Sequence, residues 1–174
     1  MDNTTKINSD WFNDSYYCVG PPLTDAMIVA AETALEYRLP LAYIELLYVK
    51  NGGSPRQNCF PTQEPTGWAD DHVQIDQILG IGGDTGIDSA QGSRYMIDEW
   101  EYPDVGIAFA YTPSAGHEVI MLDYSHCGPQ GEPQVIYVDT ETADCEPNIV
   151  VLAHNFEEFI NGFVDCSNFS VYDE

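Results

Sequence analysis

The stretch Leu39-Pro-Leu-Ala-Tyr-Ile-Glu-Leu-Leu-Tyr-Val-Lys-Asn-Gly-Gly53 constrains the fold most, because both ends of a short buried helix are written into it. Pro40 lacks the N–H that a first helical turn leaves unbonded, and its ring fixes a helical φ, while Leu39 before it is pushed towards an extended conformation. No helix can run through from upstream. Tyr43, Ile44, Leu46 and Leu47 recur at threes and fours on one face, which Leu41 and Tyr48 widen. Lys50 complements the negative helix end, and Asn51-Gly52-Gly53 offers a left-handed cap followed by a turn.

A buried helix needs a core around it, and 174 residues with 44% hydrophobic content suffice for one domain without disulfide or metal support. The charge is lopsided: 29 acids against five Lys plus Arg, formally −24. Such a surface repels nucleic-acid phosphates and anionic lipid and attracts a basic protein, although acidity also serves solubility alone. The five cysteines (Cys18, Cys59, Cys127, Cys145, Cys166) are odd in number and form no C-x-x-C pair, so reduced thiols and a cytoplasmic location are expected. The N-terminus lacks a basic lead followed by an apolar run, and no segment is long enough to span a bilayer.

Residues 1–23 form a polar then aromatic extension (Trp11, Phe12, Tyr16, Tyr17) broken by Gly20-Pro21-Pro22. Thr24 is an N-cap for a helix over 25–37 with Ile28, Ala31 and Leu35 on one face, which should pack on the helix after Pro40. The Pro-rich segment 53–67 is a long loop or a pair of short strands around Cys59-Phe60, and 73–81 predicts a strand ending at Gly82-Gly83. Residues 70–104 hold nine acids against Arg94 alone, with Tyr95, Met96, Trp100 and Tyr102 among them. A helix near 92–101 would put Met96 and Trp100 on one side and carboxylates outward. That pattern suits a face receiving a basic protein, and equally a core-facing aromatic pair beneath a solvated acidic surface.

Four short strands follow, over 105–111, 117–123, 134–139 and 149–153, with turns that favour antiparallel pairing. The run 119–122 is apolar on both faces, which marks a central strand. Asn155 and Glu158 form a capping box for a last helix whose stripe is Phe156, Phe159, Ile160 and Phe163, and a loose acidic tail is expected over 167–174. The layout is α+β in a single domain over 24–166: two N-terminal helices, a central, mainly antiparallel sheet of about five or six strands, and a C-terminal helix.

Enzyme motifs are absent: no G-x-S-x-G, P-loop, G-x-G-x-x-G after a strand or H-E-x-x-H. Asp84-Thr-Gly-Ile-Asp88, near Asp70 and Asp71, lacks the spacing of a calcium loop and is explained by a turn. His117, Asp123, His126 and Cys127 could be imagined as a metal or Cys–His cluster, but strand alternation separates them. Asp123 is better placed to bond the backbone of the Gly128–Pro133 turn, with His126 exposed. Neither cofactor nor metal is expected.

The pattern Leu39-Pro40, Tyr43, Leu46-Leu47, Asn51-Gly52-Gly53 resembles the signature of the SUKH superfamily, in the branch named after a yeast cell-wall synthesis regulator and shared by bacterial YobK-like proteins. Leu122-Asp123-Tyr124, the loop Cys127–Pro133, Val135–Asp139 and Asn155–Ile160 extend the resemblance over roughly residues 25–165 in matching order. It implies an α+β fold without catalytic residues and, for bacterial members, immunity proteins that neutralise polymorphic toxins, many of them nucleases. The charge agrees, since an acidic body can imitate the phosphates a nuclease expects. The expected partner is therefore a cognate basic toxin domain, met by a monomer. The contact set, chosen from charge and expected exposure, is Asp70, Asp71, Asp84, Asp88, Asp98, Glu99, Trp100, Glu101, Tyr102 and Asp104, with the loop around Phe60 as a second edge. The alternatives are a regulatory or scaffolding module without a toxin, as eukaryotic relatives suggest, and a hydrolase built on Cys127.

Overall fold

Thr24 caps α1 (Asp25–Leu35) by accepting from Met27 N, and Glu36 ends it in the left-handed region at φ 63°. The computed structural model describes residues 7–169. Pro40 occupies the N-cap of α2 (Leu41–Val49), one position before the expected first helical residue. Tyr43, Leu46 and Leu47 are buried, whereas Leu41 and Tyr48 are exposed, so the apolar face is narrower than the periodicity suggests. Tyr48 instead donates its hydroxyl to Asp25 of α1, and the Glu32 carboxylate accepts from Leu39 N at 3.0 Å.

The end of α2 departs from expectation. Lys50 is extended (φ −156°), and the positive φ falls later, at Gly52 (94°) and Gly53 (150°). These glycines make a turn rather than a left-handed helix cap. A Cβ on Gly52 would also come within 2.9 Å of Gly80 N, so only glycine fits. Lys50 does not serve the helix end: its ammonium donates to the carbonyls of Asn13 and Ser15 and lies over the Tyr16 ring, pinning the N-terminal extension. Phe12 of that extension is buried, with Trp11 edge-on to Phe163.

Asn51 is the hub of this turn. Its amide donates to the carbonyls of Pro21 and Ile81, and its oxygen accepts from Ile81 N, all within 2.8 Å.

The predicted strand 73–81 is two. β2 (His72–Gln74) pairs with β1 (Cys59–Pro61) in a two-stranded ribbon, and β3 (Gln77–Ile78) joins the main sheet. Between them the backbone changes partner, Ile75 N donating to Asn58 and Asp76 N to Tyr111. The helix α3 (Ser93–Trp100) follows, then β4 (Gly106–Tyr111), β5 (Glu118–Asp123), β6 (Gln134–Asp139) and β7 (Asn148–Ala153). The main sheet is antiparallel in the order β3-β4-β5-β6-β7, with β5 central and wholly buried. α4 (Phe156–Gly162) closes the core: Phe156 meets Tyr43 and Phe109, and Phe159 stacks on Phe60. Its capping box is offset by one residue, since Asn155 accepts from Glu158 N while the Glu158 carboxylate accepts from His154 N.

Two expectations about the C-terminal end fail. Cys59 and Cys166 are joined in a disulfide across 107 residues, with Cα atoms 5.1 Å apart, rather than being free thiols. The mutual hydrogen bonds of Cys59 and Val164 set that approach. Residues 166–168 form a 3-10 turn and Phe169 stacks on His72, so 167–169 are not a loose tail. The rest of the expected tail, 170–174, lies outside the described residues. Among the described residues no helix is long and apolar enough to cross a membrane.

Candidate functional site

α3 carries the densest part of the predicted contact set. Met96 and Ile97 turn inward, and Asp98, Glu99 and Trp100 outward. Ser93 fixes the helix to the sheet, its hydroxyl oxygen accepting from Ala108 N at 2.9 Å. Glu101 ends it with a left-handed φ of 57°. Arg94 donates to Asp98 and Asp104 at 2.9 Å each, strapping the last turn to the approach to β4. Both pairs are exposed, so each contributes at most about 1 kcal/mol.

Trp100 is 44% exposed and lies against Gly116, where a Cβ would come within 3.0 Å of the indole. It is neither wholly core, like Met96, nor free. Tyr102 is buried instead of offered to a partner, and its hydroxyl donates to the Gly116 carbonyl. Burial pushes its pKa up, so it stays a donor. Glu99 and Glu101 are exposed.

The other candidates sit on separate loops. Asp70 and Asp71 are exposed before β2; Asp71 meets His72 Nδ1 at 2.8 Å, and its carbonyl accepts from Thr62 N. Asp84 is exposed, whereas Asp88 is partly buried and accepts from Gly82 N at 2.8 Å, closing the turn. Phe60 of the second edge is buried under α4 and offers no contact surface.

The antiparallel register creates a polar cluster that local patterns do not reveal. Glu118 opens β5 and Asp139 closes β6; they are direct partners, and both are buried. Glu118 accepts from the hydroxyls of Tyr137 and, at 2.9 Å, Thr112. Gly67 N donates to the Tyr137 hydroxyl oxygen at 2.9 Å. Asp139 lies 2.9 Å from His117 Nδ1, and that bond raises the His117 pKa above 6.5. Burial first, and then the bond to Glu118, push the Tyr137 pKa up. The only local signal is an acid abutting an apolar strand at each end, since which strand ends meet depends on pairing.

One ligand atom from each of His117, Glu118 and Asp139 lies within 4.8 Å of the others, so among the described residues this trio could hold a cation. The set His117, Asp123, His126 and Cys127 does not converge as a whole: Asp123, His126 and Cys127 line one cleft with Glu132 and His154, but His117 lies apart from them. His117 precedes β5 and Asp123 ends it, a span of about 20 Å at roughly 3.3 Å per residue. Asp123 accepts from Ser125 N and from the Gln134 amide, not from the Gly128–Pro133 turn. Burial pushes its carboxyl up, but those bonds outweigh it and hold it below the usual range. Cys127 is exposed, and partial desolvation followed by Asp123 raises its thiol pKa, the opposite of an activated nucleophile.

A family profile described as the SMI1 / KNR4 family (SUKH-1) matches residues 22–162. No curated protein and no solved structure gives a significant match. The matched span takes in the Leu39-Pro40 start, the Asn51-Gly52-Gly53 turn, the sheet and α4, so the chain belongs to the SMI1/KNR4 family of the SUKH superfamily.

Proposed function

We propose that this protein is a non-catalytic immunity protein that binds and neutralises a cognate basic bacterial toxin, nuclease-type in its chemistry, through its acidic face. The observation carrying the proposal is the end of α3. Asp98, Glu99, Glu101 and Asp104 are exposed around a half-exposed Trp100, and Arg94 is already engaged by two of those acids. Carboxylates steer a cationic partner and aromatics supply contact area. Family membership is consistent with this role, and the formal charge of −24 gives the long-range attraction. A cytoplasmic site of action belongs to the same proposal, with the Cys59–Cys166 bond weighing against it because cytosolic disulfides are rare.

A scaffolding role without a toxin is favoured by one feature, a cleft away from α3 lined by Tyr16, Val19, Pro22, Leu23, Tyr48 and Val49. The discriminating experiment co-expresses the protein with the toxin-type product of the neighbouring gene and scores host survival. Rescue is expected, as is association with the purified toxin domain that slows markedly from low to high salt, since exposed-charge steering is screened. Failure to rescue, or association indifferent to salt, defeats the acidic-face reading.

A further inference from the structure

We infer that the cleft between α3 and the β4–β5 turn is an anchor for one arginine side chain of a basic partner protein, with Trp100 and Tyr95 as its walls and the Glu118 carboxylate as its end. This deepens the toxin-binding reading and rests on it. The cleft, of about 310 Å³, is lined by Tyr95, Trp100, Tyr102, Tyr111, Thr112 and Glu118 among others. Tyr95 and Trp100 keep more than two-fifths of their surface in solvent, while Glu118 is 2% exposed. The cleft therefore leads from an aromatic rim to a buried anion.

Among the described residues no lysine or arginine pairs with that anion; a ring nitrogen of His117 comes within 4.8 Å of it, but His117 is bonded to Asp139. Glu118 holds hydroxyl donors, Thr112 and Tyr137, and its cross-strand neighbour is a second buried carboxylate, Asp139. Lys50 is committed to Asn13 and Ser15, Arg56 to Asp10, Phe12 and Asp14, and Arg94 to Asp98 and Asp104. Arg38 lies by Tyr124, beyond the opposite end of β5 from Glu118. His117 points Nδ1 at Asp139 and Nε2 at Glu141. An opposite charge brought within about 4–6 Å of a buried carboxylate favours its charged form. Arginine suits the aromatic rim better than lysine does: its planar, weakly hydrated guanidinium stacks on aromatic walls and still presents paired donors.

The test uses the whole protein, ¹⁵N-labelled, at physiological salt. It is titrated with acetyl-Gly-Arg-Gly-amide and with the uncharged citrulline counterpart, following the Trp100 indole signal and the amides of Thr112 and 114–118. The arginine peptide should shift these signals and bind at least tenfold more tightly than the citrulline peptide. Trp100→Ala and Glu118→Gln should each weaken it at least tenfold, and Glu45→Gln, on the exposed side of α2 away from the cleft, less than twofold. Ala115→Trp, an exposed turn position on the cleft wall, blocks the cleft without touching the buried carboxylates and should act like Trp100→Ala even if Glu118→Gln unfolds. Equal binding of the two peptides, or shifts spread over the exposed acids with Trp100 unmoved, overturns the anchor. A toxin domain bound equally well by wild type and Trp100→Ala overturns it while leaving the immunity role intact. Specific arginine capture with no toxin bound sustains the anchor and removes the immunity role.

Discussion

Asn51 offers the sharpest test of how this fold is held. It is 3% exposed and ties three segments together: its amide donates to Pro21 in the N-terminal extension and to Ile81 after β3, while its oxygen accepts from the fully buried Ile81 N. Replacing it with Ala removes three hydrogen bonds and orphans a buried N–H and two carbonyls. At about 1 kcal/mol per bond, with more for the orphaned buried groups, the loss is roughly 3 kcal/mol, a large part of a typical 5–15 kcal/mol stability. Asn51→Asp is nearly the same size yet should be worse at neutral pH, because an anion then faces both carbonyls where a donor stood. The buried carboxyl acquires a raised folded pKa, so its penalty grows as pH rises above the unfolded value near 4 until the folded pKa is reached. Urea unfolding of wild type, Asn51→Ala and Asn51→Asp between pH 5 and 8 should show midpoints falling in that order at pH 8, with the Asp variant recovering on acidification. An Ala variant within 0.5 kcal/mol of wild type, or an Asp variant indifferent to pH, would refute the hub.

The Cys59–Cys166 bond closes a 107-residue separation, so Cys166→Ser should lower stability by about 2–4 kcal/mol, read from thermal unfolding with and without reductant. Equal melting of variant and wild type under oxidising conditions would count against a structural role. His117, bonded to Asp139, should titrate above 6.5 by NMR. Because the folded pKa is raised, its contribution to stability is complete below 6.5 and disappears as pH rises through the folded value, and Asp139→Asn should return the titration towards 6.5. A His117 pKa unchanged by that substitution would disprove the pairing.

The sequence by itself determined whatever is encoded over a few neighbouring residues: the entry to α2 at Pro40, the Thr24 and Asn155 caps, α3, the four long strands and the Phe stripe of α4. Periodicity and capping act through local sterics and hydrogen bonds, and survive into the fold. Charge determined the acidic character, which no packing can hide when 29 acids face five bases. Only the tertiary structure decided the rest, because each of those features depends on segments distant in the chain meeting. The strand 73–81 breaks since Asn58 and Tyr111 compete for its backbone. Lys50 leaves its helix end for two carbonyls of the extension, Tyr102 turns inward to Gly116, and Cys59 finds Cys166 through the Val164 bridge. The cleft ending at Glu118 exists only because antiparallel register sets that carboxylate against Asp139 and α3 lays Trp100 on the adjoining turn.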